Sequence, residues 1–175
     1  DLEHTVMSLK EAKDIVVACH SAGVPCYPRP VSHSNDIIKP LLESGADGML
    51  FPMVQNIADV EALVDSMYFT PLGKRSYGVN RAHQFGLNFE KYIESWNEEC
   101  VFIPQIESKE AVENIDEIVS HDSVDAVMVG PYDLSGSLGV PGQTDSELVL
   151  DACDKVIEAC RKAGKGCCTQ IQTPT

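Results

Sequence analysis

Short apolar runs that suit strands alternate with amphipathic runs that suit helices along nearly the whole chain, and this alternation narrows the fold more than any other feature. Leu9, Ala12, Ile15, Val16 and Cys19 recur at helical spacing within 8–21, ahead of Gly23. Residues 24–29 read as a short extended run, 35–44 as a second helix closed by Gly45, 48–52 as a buried strand and 57–67 as a third helix. A long polar, Gly-containing stretch from 68 to about 88 follows, of the kind that is functional or mobile in compact domains. After it come a helix over 89–98, a strand over 100–106, a helix over 109–119, a strand over 125–130, a long helix over 146–163 and a strand over 166–171.

Strands separated by helices point to a parallel sheet with helices outside it, either an open doubly wound sheet or a (β/α)₈ barrel. Polar and charged residues follow the strand ends: Arg29, Glu107 and Asp133. A barrel gathers all its strand C-termini at one mouth, where such residues can converge, whereas an open sheet spreads them along an edge. No G-x-G-x-x-G follows a strand, which weakens the dinucleotide-binding version. The expectation is therefore a single α/β domain over 1–175 of the TIM-barrel type. A complete barrel takes roughly 250 residues, so the reading is of a barrel truncated at both ends.

The formal charge of −14 argues against partners that are themselves polyanionic, so neither nucleic acid nor a membrane surface is expected. The seven cysteines are odd in number and form no C-x-x-C, which suits reduced thiols and a cytoplasmic location rather than a disulfide framework. Cys153 and Cys160, seven apart on the long helix, should share one face as small core residues.

Four stretches could carry chemistry. Asp1-Leu-Glu-His4 offers a general base titrating near neutrality, or an ordinary surface histidine. Arg29, between Pro28 and Pro30, is stiffly placed to hold a carboxylate with its planar fork, or to form a salt bridge at a barrel mouth. Gln105 and Glu107 lie two apart at the end of a strand and so share a face; Glu107 could instead serve the start of the next helix. In Gly130-Pro-Tyr-Asp133 a tight turn would project Asp133, and Glu107 with Asp133, water and substrate oxygens would make a site for Mg²⁺ or Mn²⁺. Alternatively Asp133 or Ser135 caps a helix.

The segments D-x-E-H, R-P-x-x-x-x-N, L-L-E-S-G-A-D-G, P-M-V-Q-N, P-L-G-K-R, Q-I-E-S-K-E-A and G-P-Y-D-L-S-G-S-L-G stand here in one order. Together they resemble the HpcH/HpaI aldolase family, metal-dependent 2-oxo-acid aldolases that include 2-keto-3-deoxy sugar acid aldolases. The resemblance implies a (β/α)₈ barrel, a homo-oligomer (a hexamer in full-length relatives), and a divalent metal, Mg²⁺ or Mn²⁺ with Co²⁺ as a further fit. It implies cleavage or formation of 4-hydroxy-2-oxo acids from pyruvate and an aldehyde through a pyruvate enolate. Glu107 and Asp133 would hold the metal, Gln105 and the backbone at Tyr132 would contact substrate, and Arg29 would neutralise charge on the reacting oxygen. His4 would be the base, its basicity raised by Glu43, which stands where the family usually has Asp. Tyr132 replaces a smaller residue, and Arg75-Ser76 replaces the usual Arg-Gly in a loop on the aldehyde side. Alternatives are a citrate-lyase-like or malyl-CoA-lyase-like enzyme, an oxaloacetate decarboxylase, or an inactive truncated barrel that serves only in assembly.

Overall fold

A computed structural model of the chain describes residues 1–170. The elements run α1 (Leu9–Ser21), α2 (Asn35–Glu43), β1 (Gly48–Phe51), α3 (Ile57–Met67), a 3₁₀ turn (Gln84–Gly86), α4 (Phe89–Glu99), β2 (Val101–Ile106), α5 (Lys109–Glu113), α6 (Ile115–Ser120), β3 (Ala126–Val129), α7 (Pro131–Ser137), α8 (Glu147–Ala163) and β4 (Gly166–Thr169). The strands form one sheet in the order β1-β2-β3-β4, and β3 pairs in parallel with both β2 and β4. The alternation thus yields an α/β fold with a parallel sheet. The last strand was expected to run to Ile171, which lies outside the described residues. Among the described residues no helix is long and apolar enough to cross a membrane.

The described residues divide into two compact units, Asp1–Leu50 with Glu61–Val101, and Phe51–Val60 with the chain from Phe102 onward. In the first unit α1 begins with a reciprocal cap: the Glu11 amide donates to Ser8 Oγ (3.3 Å) and the Ser8 amide to Glu11 Oε2 (2.8 Å). Val16, Ile38, Leu41, Leu42 and Met49 are buried. Gly48 is required where it stands, because a Cβ there would lie 2.0 Å from the Val101 carbonyl oxygen.

Residues 24–29, expected as a short extended strand, form no regular strand. Pro25, Pro28 and Pro30 have no N–H to give to a ladder. Their stretch accepts instead, from Asp47 N at Cys26 O (3.0 Å), from Leu50 N at Pro28 O (3.1 Å) and from Leu2 N at Arg29 O (2.9 Å).

The long polar stretch holds an ordered core. Arg75 is buried, with its guanidinium 4.7 Å from the Phe69 ring, 5.6 Å from Tyr92 and 4.6 Å from Trp96. It also donates to the Tyr92 hydroxyl (3.1 Å), whose pKa burial pushes up to about 12 despite that neighbouring charge. Of the Arg75-Ser76 pair expected to alter a loop on the aldehyde side, the arginine is thus the centre of an aromatic cage.

In the second unit Phe51 meets Phe102 edge-on at 5.6 Å, and Ile106, Ile115, Ile118, Val127, Leu134, Val149 and Val156 are buried. The helix expected over 109–119 is two short helices, broken at Asn114, whose side-chain amide donates to Gln55 O (3.0 Å). On α8 Cys160 is buried and Cys153 half-buried, and none of the seven cysteines, all of them described, is in a disulfide.

Candidate active site

The second unit brings Gln105 and Glu107 together as the strand period requires. Both are 3% exposed at the end of β2, and Gln105 Nε2 donates to Glu107 Oε2 at 2.5 Å. The other carboxylate oxygen, Oε1, accepts from the backbone amide of Met53 at 2.5 Å. Gly130 closes the third side: a Cβ there would sit 2.8 Å from both Gln105 Nε2 and Glu107 Oε2, and 3.0 Å from Glu107 Cβ. Start of the next helix is served separately, by Ser108 Oγ accepting from Ala111 N (3.1 Å). Glu107 is therefore not the cap of that helix.

The tight turn expected at Gly130 is the opening of α7, with Pro131 in its first turn and no side-chain cap bond. Asp133 lies in that first turn and is exposed, as is Tyr132. Neither Asp133 nor Ser135 caps the helix: Ser135 Oγ donates to Tyr132 O (2.6 Å) and accepts from Gly142 N (2.8 Å).

The first unit holds the remaining expected residues. Arg29 engages Asp1 with two nitrogens, Nε to Oδ1 (2.9 Å) and Nη2 to Oδ2 (2.6 Å), and its Nη1 lies 3.2 Å from Glu3 Oε2. His4 is exposed, its Nε2 3.6 Å from Glu3 Oε2. Glu43 faces Lys39 one helical turn earlier, at 4.0 Å, and its Oε1 lies beside Gly78. The structure thus joins Asp1, Glu3, His4 and Arg29 in one cluster, with Glu43 beside a lysine.

Oxygen donors of this kind fit a hard divalent ion. Among the described residues no three His, Cys, Asp or Glu side chains gather into a cage. Mg²⁺ and Mn²⁺ do not need one, because one or two carboxylates with water and substrate oxygens suffice. A buried carboxylate whose two oxygens are oriented by an amide on each side is a suitable anchor for such an ion.

Reasoning from the sequence missed Met53. Its part is played by the main chain, in a left-handed conformation (φ 55°) that a methionine gives no reason to expect. Asp1 and Glu3 were seen only as neighbours of His4; the arginine between prolines was the signal that they had a partner.

The model of the HpcH/HpaI aldolase/citrate lyase family matches residues 1–173. A 2-keto-3-deoxy-L-rhamnonate aldolase of Salmonella typhimurium is 37% identical over 140 residues, 77% of this chain and 52% of the relative. The chain therefore spans about half the length of the curated relatives it matches. The crystal structure of an HpcH/HpaI aldolase from Desulfitobacterium hafniense superposes with a TM-score of 0.93 at 31% identity, covering 100% of this chain and 68% of that one. The citrate synthase SbnG superposes with a TM-score of 0.88 at 27% identity, covering 99% and 67%. With the family's model matching residues 1–173 and a solved member superposing on the whole chain, the chain belongs to the HpcH/HpaI aldolase/citrate lyase family.

Proposed function

We propose that the protein is a metal-dependent carbon–carbon lyase that cleaves or forms 4-hydroxy-2-oxo acids, with pyruvate and an aldehyde as the partners of the reaction. The observation that carries this reading is the buried Glu107 carboxylate, gripped through both oxygens at the end of β2 in a member of an aldolase family. The parallel sheet is read as part of a (β/α)₈ barrel forming one domain, in a homo-oligomer located in the cytoplasm.

In this reading Glu107 and Asp133 hold Mg²⁺ or Mn²⁺. When bound, the ion supplies Lewis acidity that stabilises the negative charge of the pyruvate enolate. Gln105 and the backbone at Tyr132 orient the 2-oxo acid. Arg29, whose fork is set by Asp1, balances charge on the oxygen of the reacting centre. His4 takes the proton from the aldol hydroxyl as the bond breaks, with Glu43 raising its basicity. The likeness to SbnG, named as a citrate synthase, supports a second reading in which oxaloacetate-type acids are the substrates.

The test is pyruvate release from a panel of 4-hydroxy-2-oxo acids and from oxaloacetate, with chelator and then with metal restored. Glu107→Gln and Asp133→Asn are expected each to abolish metal-restored release. Full activity in either variant, or in chelator, overturns the assignment.

A further inference from the structure

Three non-glycine residues among those described have positive φ, and two of them, Gln84 and Phe85, lie in the 3₁₀ turn. The third, Met53 (φ 55°), stands two residues beyond β1. A left-handed conformation in a residue with a Cβ is unfavourable and persists only where the surroundings impose it. Those surroundings are visible on one side: Gln55 is tied by its amide to Asp59 Oδ2 (2.8 Å) and by its carbonyl to Asn114 Nδ2 (3.0 Å). On the other side Pro52 fixes its own φ. The result is a main-chain N–H aimed at Glu107 Oε1 at 2.5 Å, opposite the Gln105 amide on Oε2. Met53 is 50% exposed, and what reaches Glu107 is its backbone amide.

We infer that Met53 is a positioning residue: its left-handed backbone presents an amide that fixes the orientation of the Glu107 carboxylate for the divalent ion. This inference rests on Glu107 being a metal ligand. It has a distinctive chemical signature, because a contribution made by backbone conformation ranks substitutions by their tolerance of positive φ rather than by size or polarity. Glycine adopts that region freely, asparagine tolerates it, alanine resists it as methionine does, and β-branched valine resists it most.

The experiment is calorimetric titration of the full chain with Mn²⁺ alone, together with the metal-free melting temperature, for wild type and for Met53→Gly, Met53→Asn, Met53→Ala and Met53→Val. Met53→Gly and Met53→Asn are expected to bind Mn²⁺ as wild type does. Met53→Ala, which carries the same unbranched Cβ as methionine, should also bind as wild type does, and β-branched Met53→Val on the order of tenfold more weakly, the size of effect typical when a group orienting a ligand is lost. If Met53→Val does not fold, Met53→Ala carries the test, because it removes the side chain and keeps the tolerance of positive φ that methionine has. A Met53→Gly or Met53→Ala protein that binds as weakly as the valine variant would assign the effect to the side chain and overturn the inference. Wild-type protein that binds no Mn²⁺ would overturn the metal reading itself, and the role of Met53 with it.

Discussion

Arg29 holds Asp1 through two parallel hydrogen bonds, Nε to Oδ1 at 2.9 Å and Nη2 to Oδ2 at 2.6 Å. A planar guanidinium can make that pair of bonds and an ammonium cannot, so the direction in which Arg29 points depends on its shape as well as its charge.

Arg29→Lys keeps the charge and removes the fork. Pyruvate release is expected to fall about 100-fold, in the range found when one donor to a developing oxyanion is lost. The fall should appear in kcat rather than KM, and steady-state kinetics separates the two. An unchanged kcat would leave Arg29 as a structural ion pair with Asp1 and Glu3.

Gly130→Ala tests how closely the site is packed. The added Cβ would lie 2.8 Å from Gln105 Nε2 and Glu107 Oε2. Those are side-chain ends that can shift, so thermal unfolding should register a loss of about 1–3 kcal/mol. Shifting them undoes the orientation of Glu107, and Mn²⁺ affinity is expected to drop roughly tenfold or more. Calorimetry on the variant measures it. Affinity equal to wild type would mean that the carboxylate tolerates displacement.

How far these relationships could be read beforehand differs residue by residue. The pairing of Gln105 with Glu107 follows from strand period two, and the start of α1 follows from Ser8 and Glu11 three apart. Both are local rules. The cage around Arg75 is not local, because it joins Phe69 to residues of α4 whose meeting depends on how the chain returns. Asp133 was expected on a turn and lies on a helix: Gly130 and Pro131 serve a turn and a helix start equally well. Met53 had no marker at all, since the residue types that advertise a left-handed backbone are glycine and asparagine.

Cys167 gives a pH dependence whose sign can be worked out. A hydrogen bond from the Cys160 thiol is the main cause that brings its pKa down from 9.0 to about 7, against the opposing effect of burial. Burial pushes Cys153 and Cys168 up. Iodoacetamide labelling followed by mass spectrometry should therefore show Cys167 half-maximal near 7, with Cys153 and Cys168 reacting only in more alkaline solution. Because the folded value of Cys167 lies below the unfolded one, its contribution to stability fades as pH falls from about 9 towards 7, while above 9 the same bond, which pushes Cys160 up, acts in the opposite sense. Cys160→Ala removes the donor and should return the labelling midpoint of Cys167 towards 9. A midpoint that stays near 7 would assign the shift to another group.

The proline-spaced stretch over 24–30 lends its carbonyls to Asp47, Leu50 and Leu2, while three of its seven residues have no hydrogen to lend back. Such a segment is a poor template for a foreign strand, which would need donors and acceptors in turn along its length. The same imino rings that keep Arg29 in place therefore guard this part of the molecule against the edge-to-edge association from which fibrils grow.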